Sequence, residues 1–294
     1  MTEPHNSALT TAPAAPEAPE APEAPATVVR LGAVSYLNTK PLVHGLEERP
    51  ELFSVRFDVP AQCAALLHEG RVDLGLIPAI EYLRGDYRIV PGVAIGSNGS
   101  IASVAVFSTV PVERIKTLAL DISSRTSVAL TRILCVRHWG IAPKLTPGEP
   151  NLQAMLARAD AALIIGDPAL QIDPAASGVL KIDLGSEWRA LTGLPFVYAM
   201  WSGREGVAAA SHVAELNAAR DRGVAAVAAI AAAASGGDQQ RERLLLQYLG
   251  DNLKYGLGDA ELAGLRRFYE LAAEQGLVPG LRDLRFYEKG VGSI

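Results

Sequence analysis

No stretch of this chain stays apolar for the ~20 residues that a membrane-crossing helix needs. The longest candidate, 224–234, is mostly alanine and far shorter. The N-terminus lacks a basic n-region followed by an apolar h-region, so no secretory signal is expected and a cytoplasmic location is. Basic charge is not in excess: 27 Lys and Arg stand against 32 Asp and Glu, for a net charge of −5. That leaves no electrostatic footprint for nucleic acid. Cysteine is scarce, with Cys63 and Cys135 far apart in apolar helical contexts. Two buried free thiols are expected rather than a disulfide, as in a reducing compartment. His44, His68 and His138 are isolated, and no Cys/His cluster has zinc-ligand spacing, so no metal site is expected.

What is present is a chain of 294 residues, 49% hydrophobic and 20% charged, which suits a globular protein of one large or two moderate domains. Residues 1–26 stand apart, because 16–25 repeats a Pro-Glu-Ala unit. Such a segment favours extended, solvated polyproline II and has too little apolar surface to fold, so a disordered acidic extension is expected.

From Thr27 the pattern changes. Strands are expected at 27–34, 55–59, 74–77, 101–108, 117–120, 161–165 and 195–201, and helices at 61–69, after Ser127 and over most of the chain beyond Gly206. Strands alternating with helices predict right-handed parallel βαβ units, hence an α/β fold. Two such blocks emerge. Lobe I is expected to be discontinuous, 27–108 plus 199–294, and lobe II to span 109–198. The chain crosses between them near the apolar runs 101–108 and 195–202. Polar elbows at 35–40, 77–82, 97–103, 122–127 and 165–168 then converge on a central inter-lobe cleft, where open α/β sheets bind ligands.

The stretch Asp121-Ile122-Ser123-Ser124-Arg125-Thr126-Ser127 carries the most chemistry. It joins an expected strand to an expected helix N-terminus, where the first amides lack intrahelical partners and the dipole is positive. Hydroxyls and a guanidinium there suit a carboxylate or phosphate. Ordinary N-capping by Ser or Thr is the alternative, although capping alone needs one hydroxyl.

Five segments resemble a known family. They are Val34-Ser35-Tyr36-Leu37-Asn38-Thr39-Lys40-Pro41-Leu42, Asp73-Leu74-Gly75-Leu76-Ile77-Pro78, Ser123-Ser124-Arg125-Thr126-Ser127-Val128, Leu163-Ile164-Ile165-Gly166-Asp167 and 192–201. In order and spacing they resemble chorismate dehydratase of the futalosine route to menaquinone, over about 28–285. The resemblance implies a two-lobed fold like that of type 2 periplasmic binding proteins. It also implies a carbon–oxygen lyase acting on one small molecule, chorismate, with no cofactor. It assigns catalytic roles to Asn38 and Ser103, which would orient the enolpyruvyl carboxylate as it takes the ring proton. Together with the elbows it places Ser35, Tyr36, Pro78, Ser124, Arg125, Thr126, Ser127 and Gly166 around the substrate. Glu81 and Asp167 follow strands and could serve as a protein base, or as a helix-start acid and a cap. Tyr36, Trp188 and Trp201 could stack on a ring or fill the core.

The chain departs from the family at one point. Gly99-Ser100-Ile101-Ala102-Ser103 lacks the family's proline before the functional serine, which predicts a looser loop there. The alternatives are a non-catalytic binding protein for a small carboxylate, or a later menaquinone-pathway enzyme on the same fold. The oligomeric state is not legible in the sequence.

Overall fold

The computed structural model describes residues 27–288; the expected extension at 1–26 lies outside them. Strands β1 (Val29–Val34), β2 (Phe53–Asp58), β3 (Leu74–Pro78) and β4 (Arg88–Ser97) belong to a first sheet. Strands β5 (Val104–Ser108), β6 (Thr117–Asp121), β7 (Lys144–Gly148), β8 (Ala161–Ile165) and β9 (Leu180–Asp183) form a second. Strand β10 (Phe196–Gly203) then returns to the first. The orders are β2-β1-β3-β10-β4 and β7-β6-β8-β5-β9.

β1 pairs in parallel with β2 and β3, and β6 with β7 and β8. Every residue of β3 and of β8 is buried, which is why both read as unbroken apolar runs rather than alternating ones. The two returning strands are antiparallel intruders. β10 lies between β3 and β4, and β5 between β8 and β9. An all-parallel expectation does not foresee this.

The pairings also move the lobe boundaries. β5 ends at Ser108 but pairs entirely within the second sheet, so lobe I stops near Ser97, where β4 ends, rather than at 108. β10 starts at Phe196 in the first sheet, ahead of the expected 199. The crossings are therefore 98–103 and the turn just before Phe196. Ile101 and Ser103 lie in the first crossing, not in a strand.

An aromatic cluster fixes the second crossing. Trp188 is fully buried and meets Phe196 edge-on at 5.1 Å, and its indole Nε1 donates to Pro195 O at 3.1 Å. Phe268, from helix Asp259–Glu274, completes the group. Trp201 is equally buried, so both tryptophans are core residues and neither faces the cleft. Gly223, in helix Ala210–Ala225, packs so closely on the first elbow that a Cβ there would stand 1.9 Å from Pro41 O. The elbow carrying Asn38 thus rests on a helix from the far end of the chain. No helix among the described residues is long and apolar enough to cross a membrane. Cys63 and Cys135 are free and buried, and burial pushes both thiols up to about 12.

Candidate active site

The cleft holds a narrow cavity to which every expected elbow contributes. The first lobe supplies Val34, Tyr36, Asn38, Pro60, Pro78 and Ile95, with Tyr198 and Ala199 from β10. The first crossing supplies Ile101 and Ser103, and the second lobe Val104, Ser124, Ser127, Ile165 and Gly166. No Asp, Glu, His, Lys or Arg is among these residues. The wall is apolar, with neutral hydrogen-bonding groups set into it.

Ser124 is the N-cap of α1 (Arg125–Arg137), and its Oγ accepts from Ser127 N at 3.4 Å. The Ser124 and Ser127 hydroxyls lie 3.1 Å apart. Capping and cavity lining are thus combined: one serine closes the helix end while the pair faces the cavity. The other first-turn amides have no intrahelical acceptor and sit at the positive end of a 13-residue helix.

Arg125 and Thr126 turn elsewhere. Arg125 Nη1 donates to Glu81 Oε2 at 2.7 Å across the lobes, outside the cavity. Thr126 is fully buried, and its Oγ1 accepts from Ile80 N at 3.1 Å. Ser35 is exposed, and its backbone N donates to Asp58 O at 2.9 Å. These three do not line the cavity, in contrast to the expectation from sequence. For Arg125 and Thr126 the physical reason is helical geometry: residues 124 and 127 share a face, whereas 125 and 126 rotate away from it. Ser35 follows the strand Val29–Val34 and is exposed.

Tyr36 and Gly166 meet across the cleft. Gly166 has φ 68 and ψ −151, and a Cβ would lie 2.6 Å from Tyr36 Cε2. Only glycine satisfies both the backbone and the ring. Beside them Asp167 accepts from Leu37 N at 3.0 Å, so the carboxylate tethers lobe II to the first elbow. Burial raises the Asp167 pKa, and the Leu37 N–H opposes the rise. Asp167 does not line the cavity.

Asn38 lies inside the short turn Leu37–Val43 and does not cap it; the N-cap there is Tyr36. Ser103 is fully buried, its Oγ accepts from Tyr248 at 2.8 Å, and its carbonyl accepts from Gly166 N at 2.8 Å. The crossing loop is not loose. Asp183 accepts from Ser100 Oγ at 3.0 Å, Ile101 N at 3.1 Å, Ala102 N at 2.7 Å and Ser186 N at 3.0 Å. Lys181 Nζ donates to Ala102 O at 2.8 Å. This clamp holds Ala102 at φ 64, a conformation an alanine adopts only under constraint.

Glu81 is fully buried outside the cavity, against Arg125, His68 Nε2 at 2.8 Å and Arg84 Nε at 3.2 Å. Burial pushes its carboxyl up, but the His68 hydrogen bond and the Arg125 and Arg84 charges outweigh this and hold its pKa below the ordinary value. It is engaged in joining the lobes. His68 Nδ1 also meets the Tyr87 hydroxyl at 2.6 Å, so neither ring nitrogen is free. Sequence reasoning missed Tyr248 and Asp183, and gave Tyr198 no role. Burial raises the pKa of Tyr36, Tyr198 and Tyr248, so all three phenols stay protonated near neutrality.

The family model described as menaquinone biosynthesis matches residues 29–274. The chorismate dehydratase of Thermus thermophilus is 31% identical over 263 residues, spanning 82% of this chain and 93% of its own. That of Campylobacter jejuni is 31% identical over 170 residues, 57% of this chain and 60% of its own. Among solved structures, the alkanesulfonate-binding protein SsuA of Xanthomonas axonopodis, bound to MOPS, superposes with a TM-score of 0.64 at 17% identity, covering 85% of this chain and 94% of its own. A Candida albicans protein described as having the generic periplasmic binding protein fold superposes at 0.60 and 10% identity, covering 90% of this chain and 99% of its own. At such identities the structures speak to fold alone, and the fold is periplasmic-binding-protein-like. The chain belongs to the menaquinone-biosynthesis family, and its Thermus and Campylobacter relatives are both chorismate dehydratases.

Proposed function

We propose that this protein is a chorismate dehydratase of the futalosine route to menaquinone. As a hydro-lyase it would remove water from chorismate to give 3-[(1-carboxyvinyl)oxy]benzoate. The observation that carries this reading is the convergence of Asn38, Ser103 and the Ser124/Ser127 helix end, from both lobes, on one small cavity.

The chemistry suits such a wall. The ring hydrogen beside the enolpyruvyl ether leaves as a proton and the neighbouring hydroxyl leaves with the electron pair, so one water departs and the ring becomes aromatic. The barrier is the proton transfer. Negative charge that develops on the ring spreads through the diene onto the ring carboxylate, which fixed donors stabilise. The helix N-terminus with Ser124 and Ser127 supplies such donors without a counter-charge.

No carboxylate or imidazole lines the cavity, and the nearby phenols are protonated. This supports a substrate-assisted route in which the enolpyruvyl carboxylate takes the proton. An apolar, cation-free wall favours that role, because desolvation makes a carboxylate a stronger base. Asn38 and Ser103 would hold it in line with the ring hydrogen.

Purified protein mixed with chorismate, with the product followed by chromatography and mass, tests the proposal. Loss of one water and an aromatic absorbance are expected. Asn38→Asp and Ser103→Ala should each cut turnover in folded protein. Absence of turnover together with tight binding of another organic anion would overturn it in favour of a binding protein.

A further inference from the structure

Tyr248 lies outside every motif that points to function, yet it touches the centre of the site. It opens the π-turn Tyr248–Asn252 and is only 2% exposed. Its hydroxyl donates to Ser103 Oγ at 2.8 Å, and Asn38 lies beside the same oxygen. The segment also grips the loop that delivers Ser103. Asn252 Nδ2 donates to Ser100 O at 3.0 Å, and Lys254 exchanges two backbone hydrogen bonds of 2.8 Å with Gly96. π-turns of this kind break helical regularity and often sit at functional sites.

The hydrogen bond runs from Tyr248 to Ser103. A hydroxyl has one proton to give. The geometry runs from the Tyr248 hydroxyl to Ser103 Oγ, and burial keeps that phenol protonated, so Tyr248 is the donor. Ser103 Oγ therefore accepts on that side and forms no other hydrogen bond among the described residues. Its own proton is left for the cavity that Ser103 lines.

We propose that Tyr248 is a positioning residue that orients Ser103 as a hydrogen-bond donor toward the bound substrate and keeps Asn38 in register with it. The inference rests on the dehydratase reading and extends it. With phenylalanine at 248 the Ser103 hydroxyl regains its other rotamers, and part of its population no longer donates into the cavity.

The test is a double-mutant cycle on turnover of chorismate. Tyr248→Phe is expected to lower kcat about tenfold or more, with KM changed less than about twofold. Ser103→Ala is expected to lower it further. The double variant should match Ser103→Ala within about twofold, because Tyr248 acts through Ser103. Multiplicative losses, or wild-type kcat in Tyr248→Phe, would overturn the inference while leaving the dehydratase reading intact.

A difluorotyrosine at 248 covers the case in which Tyr248→Phe does not fold. It keeps shape and hydroxyl but ionises at lower pH. Activity near wild type at neutral pH, with an alkaline loss at lower pH than in wild type, is expected; an unshifted profile would count against the inference. If wild-type protein neither turns over nor binds chorismate, the functional reading falls and this inference falls with it.

Discussion

The ring of Tyr36 in one lobe lies so close to Gly166 in the other that a Cβ there would stand 2.6 Å from Tyr36 Cε2. Gly166→Ala therefore meets two penalties. The backbone at φ 68 and ψ −151 is closed to alanine at a cost of about 1–3 kcal/mol, and the ring must move. Denaturant titration should show a loss of that size, and kcat/KM should fall at least about tenfold as the cavity wall shifts. Wild-type kinetics would mean that the ring is not part of the site.

Asp183 ties Ser100, Ile101 and Ala102 to the helix it caps. Asp183→Ala removes the cap and the clamp together. A stability loss of about 2 kcal/mol is expected from the cap and the orphaned amides. Turnover should fall more than thermal stability alone explains, because Ala102 can relax from its positive φ and carry Ser103 with it.

The pair Ser124 and Ser127 should behave differently from its neighbour Thr126. Ser127→Ala is expected to raise KM about tenfold, the weight of one hydrogen bond to a charged group. Thr126→Val keeps the shape but leaves Ile80 N without its acceptor, which costs about 1–3 kcal/mol of stability. Its KM should change much less. Equal KM effects in both would contradict the assignment of the serines to the cavity face.

Glu81 gives a pH signature. Its folded pKa is depressed below the ordinary 4.5 by His68, Arg125 and Arg84, against burial. A depressed acid contributes stability that is fully present above the unfolded value and is lost as pH falls through the folded one. Asp167, raised by burial, has the opposite sign, and its cost is relieved on acidification. Urea titrations at neutral pH and below pH about 4 should show an acid-side loss in wild type that is smaller in Glu81→Gln. An identical acid loss in both would show that the Glu81 network does not couple to stability.

The polar elbows that interrupt apolar runs point to Tyr36, Ser124 and Ser127, whereas Asn38 and Ser103 enter only through the family resemblance; with Pro78 and Gly166 they line one cavity. Arg125 and Thr126 are misplaced when a helix start is taken as a line rather than as a spiral. The clamp and the tyrosine are not legible, because nothing local links residue 248 to residue 103, 145 positions away. β4 is absent from the expected strands; it contains Pro91 and Gly92, which an edge strand tolerates. The antiparallel course of β5 and β10 likewise depends on which lobe each strand enters, a property of the whole chain.

That strand order bears on how the protein is made. All strands of the second sheet lie between residues 104 and 183, so that lobe can close while the rest is still being translated. The first sheet has its gap between β3 and β4 filled only by Phe196–Gly203. A nascent chain can thus finish the inserted half before the half that begins first, and β3 must wait, unpaired on one flank, for a segment that emerges more than a hundred residues later.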